Sequence, residues 1–453
     1  MVLLKKLLFV LFLMVALSNY NVGMGFPVKF ALTKTVSITI DQTIEGTFIR
    51  MGNGKPMIMR EIEEDLWFEP ELDIYLHFKH NKHCGSIETL ELRRYNEAIH
   101  LSAKQDSADL FPGAPQQIPE VFDEMIPRLM VAFNVPGVSI AGIENGRIAW
   151  TRAYGVKTAG NEEKITDSTL FEAASMSKAQ FAYATLRLVD RGEFDLDIPL
   201  VIISGKPYEK VVRDTPGEPL HKKITARMVF QHQTGFPNWS SDDALKPLFE
   251  PGTGIGYSGE GFEFCQRVVE DITGLCLNEF MKKELFQPLG MDRSSFVWED
   301  HFSDISSWGH DSDGNEILNR RIVTEGNAAY SLYTTPSEYA LFLIDLMNKT
   351  PGHGSLLSEE SRLEMLNPTV HDPSRSSLPR AGETISDDVL WALSWRAQKT
   401  NTGMRFHHGG SNSTGFRCIT EFDPASADGI VIMTNATGGS DLIDQVFKMT
   451  SLP

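Results

Sequence analysis

The sequence predicts an α+β fold preceded by a small β domain. Three observations carry this: short alternating segments between residues 28 and 104, helix-period segments in the middle of the chain, and strand-like segments at both ends of the longer C-terminal part. In the N-terminal part, VKFALTKTVSITI, GTFIRM, DIYLHFKH and IETLELRRY alternate apolar and polar residues and are broken by GNGKP and NKHCG, which is the texture of antiparallel strands. Residues 105–118 (DSADLFPGAPQQI within them) are polar and rich in Pro and Ala, and read as a linker.

From residue 119 the texture changes. PEVFDEMIPRLMVAFN has a helical period, and VPGVSIAGIENGRIAWTRAYG reads as a hairpin turned by Asn145-Gly146. A helix is expected to begin at Ser175 and to end at Gly192; GFEFCQRVVEDITG, LNEFMKKELF and SEYALFLIDLM add further helices. VLWALSWRAQ, MRFHHGG, GFRCITEFDP and GIVIMTNA return to strands. A hairpin at the start and a meander at the end predict one sheet that combines both ends of residues 119–453.

The chain has 453 residues, enough for one large domain and a small one, and a formal net charge of -18, which excludes nucleic acid as a partner because phosphate binding needs clustered Lys and Arg. Lys5 and Lys6 precede an apolar run from Leu7 to Leu17, with Ala16 and Ser18 as small residues before a cleavage point after Ser18. That pattern is a secretory signal peptide over residues 1–18, and the protein is expected to be exported to a periplasmic or extracellular space. A membrane is a partner only if the segment stays uncleaved. The 4 cysteines, Cys84, Cys265, Cys276 and Cys418, lack metal-ligand spacing and read as buried free thiols.

The chemistry lies in Ser175-Met176-Ser177-Lys178, the one S-x-x-K in the chain. A serine hydroxyl needs a neighbouring base to lose its proton, and a lysine three residues on shares its helix face. The N-terminal end of a helix adds N–H groups that favour an anionic tetrahedral intermediate. On the four residues alone, a serine cap with a solvated lysine one turn later is the commoner arrangement.

The flanks decide. From about residue 120 onward the chain resembles the serine β-lactamase and penicillin-binding-protein superfamily in its class C-like hydrolase branch. The resemblance is carried in order by residues 135–156, TLFEAASMSK (169–178), LVDRGEFDLDIPL (188–200), ITARMVFQHQTGFP (224–237), EPGTGIGYSGEGFEF (250–264), LFQPLGM (285–291), AAYSLYTTPSEYALFL (328–343), FHHGGSNSTGF (406–416) and EFDPASADGIVIMTNA (421–436). It implies the β-lactamase/DD-peptidase-like fold, an antiparallel sheet flanked by helices plus an all-helical region. It also implies Ser175 as acylated nucleophile, Lys178 as its partner and Tyr257 of Tyr257-Ser258-Gly259 between nucleophile and leaving group. His408-Gly409-Gly410 would be the third motif on the strand beside the site, with the N–H groups of Ser175 and Ser411 as oxyanion hole. His407 is the alternative start of that triplet; spacing to the glycines favours His408. No metal or organic cofactor is required.

Two departures narrow the chemistry. His408 stands where β-lactamases of this branch carry a lysine, and a neutral imidazole is no permanent cation for a substrate carboxylate. Gly259 stands where many members carry an asparagine that binds the acyl side-chain amide. Both tilt the expectation from an efficient β-lactamase toward an esterase or a D-Ala-D-Ala-type peptidase on a small-molecule or peptide substrate. Gly259 also admits a second class, a catalytically weak relative that binds peptidoglycan fragments or a protein.

Other residues receive plainer readings. His232 reads as structural at a helix C-terminus; Asp311, Asp313, Gly314 and Asn315 form a solvated turn, not a calcium loop; Trp239, Trp391 and Trp395 pack in or at the edge of the core; Ser177 packs or caps. The N-terminal module, through Gly46-Thr47-Phe48 and the WFEP to LHF succession, resembles the lipocalin-like domain that accompanies many such hydrolases, here placed ahead of the catalytic domain.

Overall fold

The structure, a computed structural model, describes strand backbone between residues 28 and 101 and then residues 118–449, apart from 207–219, 241–244, 246, 348–353, 373–388 and 401–402. The signal segment, the linker up to residue 117 and Cys84 lie outside the described residues. The chain divides into two compact units, residues 1–117 with 445–451 and residues 118–444 with 452–453.

Among the described residues the first unit contains eight strands, β1 Val28–Thr33, β2 Val36–Thr43, β3 Gly46–Met51, β4 Met57–Glu63, β5 Leu66–Glu69, β6 Ile74–His80, β7 Ile87–Arg94 and β8 Glu97–Leu101. They pair in sequence order as an antiparallel meander.

The second unit opens with helix α1, Ile118–Ala132, then the hairpin of β9, Gly137–Glu144, and β10, Arg147–Gly155. Asn145 and Gly146 both have positive φ, 52° and 72°, the backbone that a two-residue turn matching strand twist requires. Strand β11, Phe171–Glu172, pairs with β12, Tyr333–Thr334. The remaining strands are β13 Val370–His371, β14 Val389–Trp391, β15 Arg396–Lys399, β16 Met404–Ser411, β17 Arg417–Asp423 and β18 Asp428–Thr434. The large sheet runs β10-β9-β18-β17-β16-β15-β14-β13, so the first strand pair is joined to the last strand, as the pattern predicts. Apart from Glu144, every residue of β9 is buried, which is why it reads as a nearly continuous apolar run; the edge strand β10 is partly exposed.

Helix α2, Ser177–Asp190, is buried through most of its length, with Phe181, Ala182, Tyr183 and Leu186 at 0% exposure. A helix apolar on several sides belongs inside the molecule, and α2 is the spine of the main core. Helix α3, Gly259–Thr273, is capped by Ser258, whose Oγ accepts from the Gly261 N–H at 3.0 Å, and ends at Gly274 with φ 67°. Helix α4, Pro336–Met347, packs against β9, β10 and β18, and α5, Gly439–Met449, is the last described element.

One expectation needs correction. Ser175 does not open the long helix: Ala174–Met176 form a separate 3-10 turn, and α2 starts at Ser177. The cause is local. Ala174 is held at φ 49°, a left-handed backbone costly for any residue with a Cβ, so the helix cannot extend back through it.

Candidate active site

Three segments distant in sequence meet at Ser175. The 3-10 turn presents its half-buried side chain, and α2 places Lys178 one turn on. Lys178 is only 1% exposed; its Nζ lies 3.3 Å from Ser175 Oγ and donates to the Ala329 carbonyl at 2.7 Å. That nitrogen is also 4.8 Å from the Tyr257 ring centroid. Burial holds the Lys178 ammonium below the ordinary lysine range, partly offset by attraction to Tyr257. Ser177 faces the other way: its Oγ donates to the Ala174 carbonyl at 2.5 Å and accepts from the Leu332 N–H at 3.1 Å, which locks the turn to the neighbouring loop.

Strand β16 supplies the other wall. A Cβ built on Gly410 would meet the Ala173 carbonyl oxygen at 2.2 Å, so only glycine lets β16 lie this close to the turn that carries Ser175. Ser411, the exposed last residue of β16, follows directly. The segment after it is pinned by Glu172, whose buried carboxylate accepts from Asn412 Nδ2 at 2.6 Å and Thr414 Oγ1 at 2.8 Å. Burial raises the Glu172 pKa, and these bonds and nearby Arg321 pull it back down. Glu172 thus ties the loop after Ser411 to the strand that leads into Ser175.

His408 points into an aromatic cluster instead of toward solvent. It is 3% exposed, with ring centroids of Tyr257, Trp391 and Trp395 at 6.3, 6.2 and 6.5 Å. Its Nδ1 lies 2.8 Å from the Gly409 carbonyl oxygen, which sets the Nδ1–H tautomer. Burial and then the charges of Lys178 and Arg396 push its pKa down to about 3, so the ring is neutral. His407 is also buried and pairs in register with Glu421 on β17.

His232 was read from the sequence as a satisfied helix-end histidine, and the structure gives it more to do. It follows the short helix Ala226–Phe230 with φ 57° and is fully buried. Its ring lies 4.2 Å from Tyr257, its Nδ1 accepts from the Ser258 N–H at 3.1 Å, and its carbonyl accepts from the Gly256 N–H at 2.8 Å. Both backbone neighbours of Tyr257 are therefore fastened to one residue. Trp391 completes the clamp, 4.6 Å from His232 and 6.2 Å from Tyr257, with its Nε1–H bonded to Asp372 at 2.9 Å. Trp391 and Trp395 take the core alternative of the expectation and are buried, whereas Trp239 is 47% exposed.

Residues 122–447 match the family model described as Beta-lactamase. The chain belongs to the Beta-lactamase family. Within it, the chain is 26% identical to the N-acetylmuramyl-L-alanine amidase of Bacillus subtilis (strain 168) over 69% of this chain and 80% of that protein. It is 21% identical to Protein flp of Staphylococcus aureus (strain N315) over 69% of this chain, and spans only 62% of that relative. A class C beta-lactamase solved in complex with cefoxitin superposes with a TM-score of 0.60 at 20% identity, covering 73% of this chain and 97% of the other. This Beta-lactamase-family fold is the antiparallel sheet with flanking helices expected from the sequence.

The plainer readings fare as follows. Cys265 and Cys418 are buried free thiols as expected, whereas Cys276 is free but exposed, contrary to the expectation. Asp311 Oδ1 accepts from the Asp313 and Asn315 N–H groups, both at 2.9 Å, as a turn does. Among the described residues no group of acidic, His or Cys side chains could hold a metal ion, and no helix is long and apolar enough to cross a membrane.

Proposed function

We propose that this protein is an exported serine hydrolase that works through an acyl-enzyme on an ester or amide. The observation that carries the reading is the buried Lys178 amine within 3.3 Å of Ser175 Oγ, beneath the Tyr257 ring. An amine with a depressed pKa is neutral more often near pH 7 to 8 than an exposed lysine, and a neutral amine accepts the Ser175 proton as oxygen attacks the carbonyl. The Ser175 and Ser411 N–H groups take the oxyanion, and Tyr257 passes the proton to the leaving group. Water then attacks the acyl-serine by the reverse proton path. His408 is neutral and enclosed, so it supplies shape and no cation; the reading favours uncharged esters or amides over β-lactams that need a carboxylate anchor. Export rests on the basic and apolar segment of residues 5–17.

Incubation of the full chain with a fluorophosphonate probe, followed by peptide mass spectrometry, is expected to place the adduct on Ser175, and Ser175→Ala is expected to lose both adduct and p-nitrophenyl ester turnover. Undiminished turnover in Ser175→Ala would remove the assignment. Binding of peptidoglycan fragments with no turnover of any ester or amide would favour the weak-homologue reading instead. N-terminal sequencing of protein recovered outside the cytoplasm tests export, with a start at residue 19 expected.

A further inference from the structure

Trp239 is exposed at 47%, yet it is held in place. Its loop is fastened to the start of α3 at several points. The Gly259 N–H donates to both the carbonyl and the Oδ1 of Asn238 at 3.0 Å, Ser258 Oγ donates to the Pro237 carbonyl at 2.9 Å, and the Ser240 N–H donates to Glu260 Oε1 at 3.0 Å. The indole lies directly on Gly259, two residues from Tyr257: a Cβ there would fall 2.6 Å from its Cη2. On its other side it meets the half-buried Tyr330 edge-on, with ring centroids 5.5 Å apart at 81°. Tyr330 follows Ala329, whose carbonyl binds Lys178. The Arg321 guanidinium sits 5.0 Å from the Tyr330 ring centroid and donates to Ser413 Oγ at 3.0 Å, two residues beyond Ser411. The two rings thus lie on the segments that carry Tyr257 and Lys178's carbonyl partner, and Arg321 links Tyr330 to the segment after Ser411.

A fixed, solvent-facing indole loses little entropy on meeting a ligand and gains both apolar area and ring contacts. We infer that Trp239 and Tyr330 form a binding wall for a planar apolar group of the substrate, so that aryl-bearing esters are preferred to short aliphatic ones. The glycine at position 259 is the condition for this wall, because any side chain there would displace the indole. The inference rests on the serine-hydrolase reading and adds the chemical class of the substrate.

The test compares kcat/KM for p-nitrophenyl phenylacetate and p-nitrophenyl acetate, and for phenyl acetate and methyl acetate, in the full chain and in Trp239→Ala and Trp239→Phe. The wild type is expected to prefer the aryl member of at least one pair by tenfold or more. Trp239→Ala is expected to lose about tenfold of that preference after correction for the chemical reactivity of each ester in buffer, and Trp239→Phe to keep most of it. The responding pair says whether the acyl or the leaving side meets the wall. Equal preferences in wild type and Trp239→Ala for both pairs would overturn the wall while leaving the hydrolase reading intact. Absence of turnover and of Ser175 labelling in the wild type would overturn the hydrolase reading itself.

Discussion

A lysine becomes a base only when its surroundings make the charged form costly, and Lys178 meets that condition by burial under Tyr257 and Phe262. Its ammonium is destabilised, so the acid limb of a kcat/KM profile is expected to inflect below the ordinary lysine value of about 10.4. Activity rises with pH through that inflection because the neutral amine is the active form. Lys178→Ala is expected to cut acylation by roughly 10²- to 10⁴-fold, the usual span for a positioned acid-base group; rapid-quench measurement of the acyl-enzyme reads it. His232 acts at one remove. It fastens the residues on either side of Tyr257, and His232→Ala is expected to lower kcat by about 10²-fold with KM nearly unchanged, since small displacements of a proton-transfer group cost that much. His232→Asn, which keeps an acceptor for the Ser258 N–H, is expected to recover part of the loss. A general loss of folding would leave kcat per active site, titrated with the fluorophosphonate, unchanged in both.

Elements place these groups with little tolerance. The approach of β16 to the 173–175 turn leaves no room at Gly410, and Gly410→Ala is expected to destabilise the fold by about 1–3 kcal/mol, as overpacking does. Urea unfolding gives that figure, and Ser175 labelling is expected to slow alongside it because the oxyanion donors are pushed apart. The elements themselves were largely legible. The Asn145-Gly146 hairpin, the helical period of α3 and the closing meander are all written in local pattern, because turn chemistry and periodicity act between near neighbours. What was hidden acts across long separations. Glu172 meets Asn412 and Thr414 some 240 residues on, and nothing in TLFEAASMSK announces a buried carboxylate that fastens the far strand. The start of α2 was misplaced because a left-handed backbone at Ala174 is not what an alanine prefers, so its residue type gave no sign of the break. Trp239 was read only as packing in the core or at its edge, and the hydrogen bonds that hold its loop at the surface join it to the start of α3, some 20 residues on.

At the scale of the whole molecule, neutral histidines set an acid limit. The unfolded chain takes up a proton at His408 below about 6.5, the native protein only near a pKa of about 3, so the unfolded state binds more protons between these values. Stability from this site is complete above about 6.5, falls as pH drops and levels off near 3. The difference in Tm between wild type and His408→Asn is expected to shrink or reverse on going from pH 7 to pH 4; a constant difference would show that His408 titrates alike in both states. Carboxylates that titrate in the same range are common to both proteins and cancel in the comparison.

The sheet order has a bearing on when the chain acquires its chemistry. The nucleophile is at residue 175, but the strand between β9 and β17 is β18, residues 428–434, so the early hairpin has no bridge to β16 until almost the whole polypeptide exists. A chain emerging from a ribosome carries Ser175 and Lys178 for more than half of its synthesis as an inert pair, and pairing over such separations forms late. Hydrolytic competence is thereby timed to completion: a nascent chain arrested before Asp428 is expected to take no fluorophosphonate label, and release of the full chain to switch labelling on.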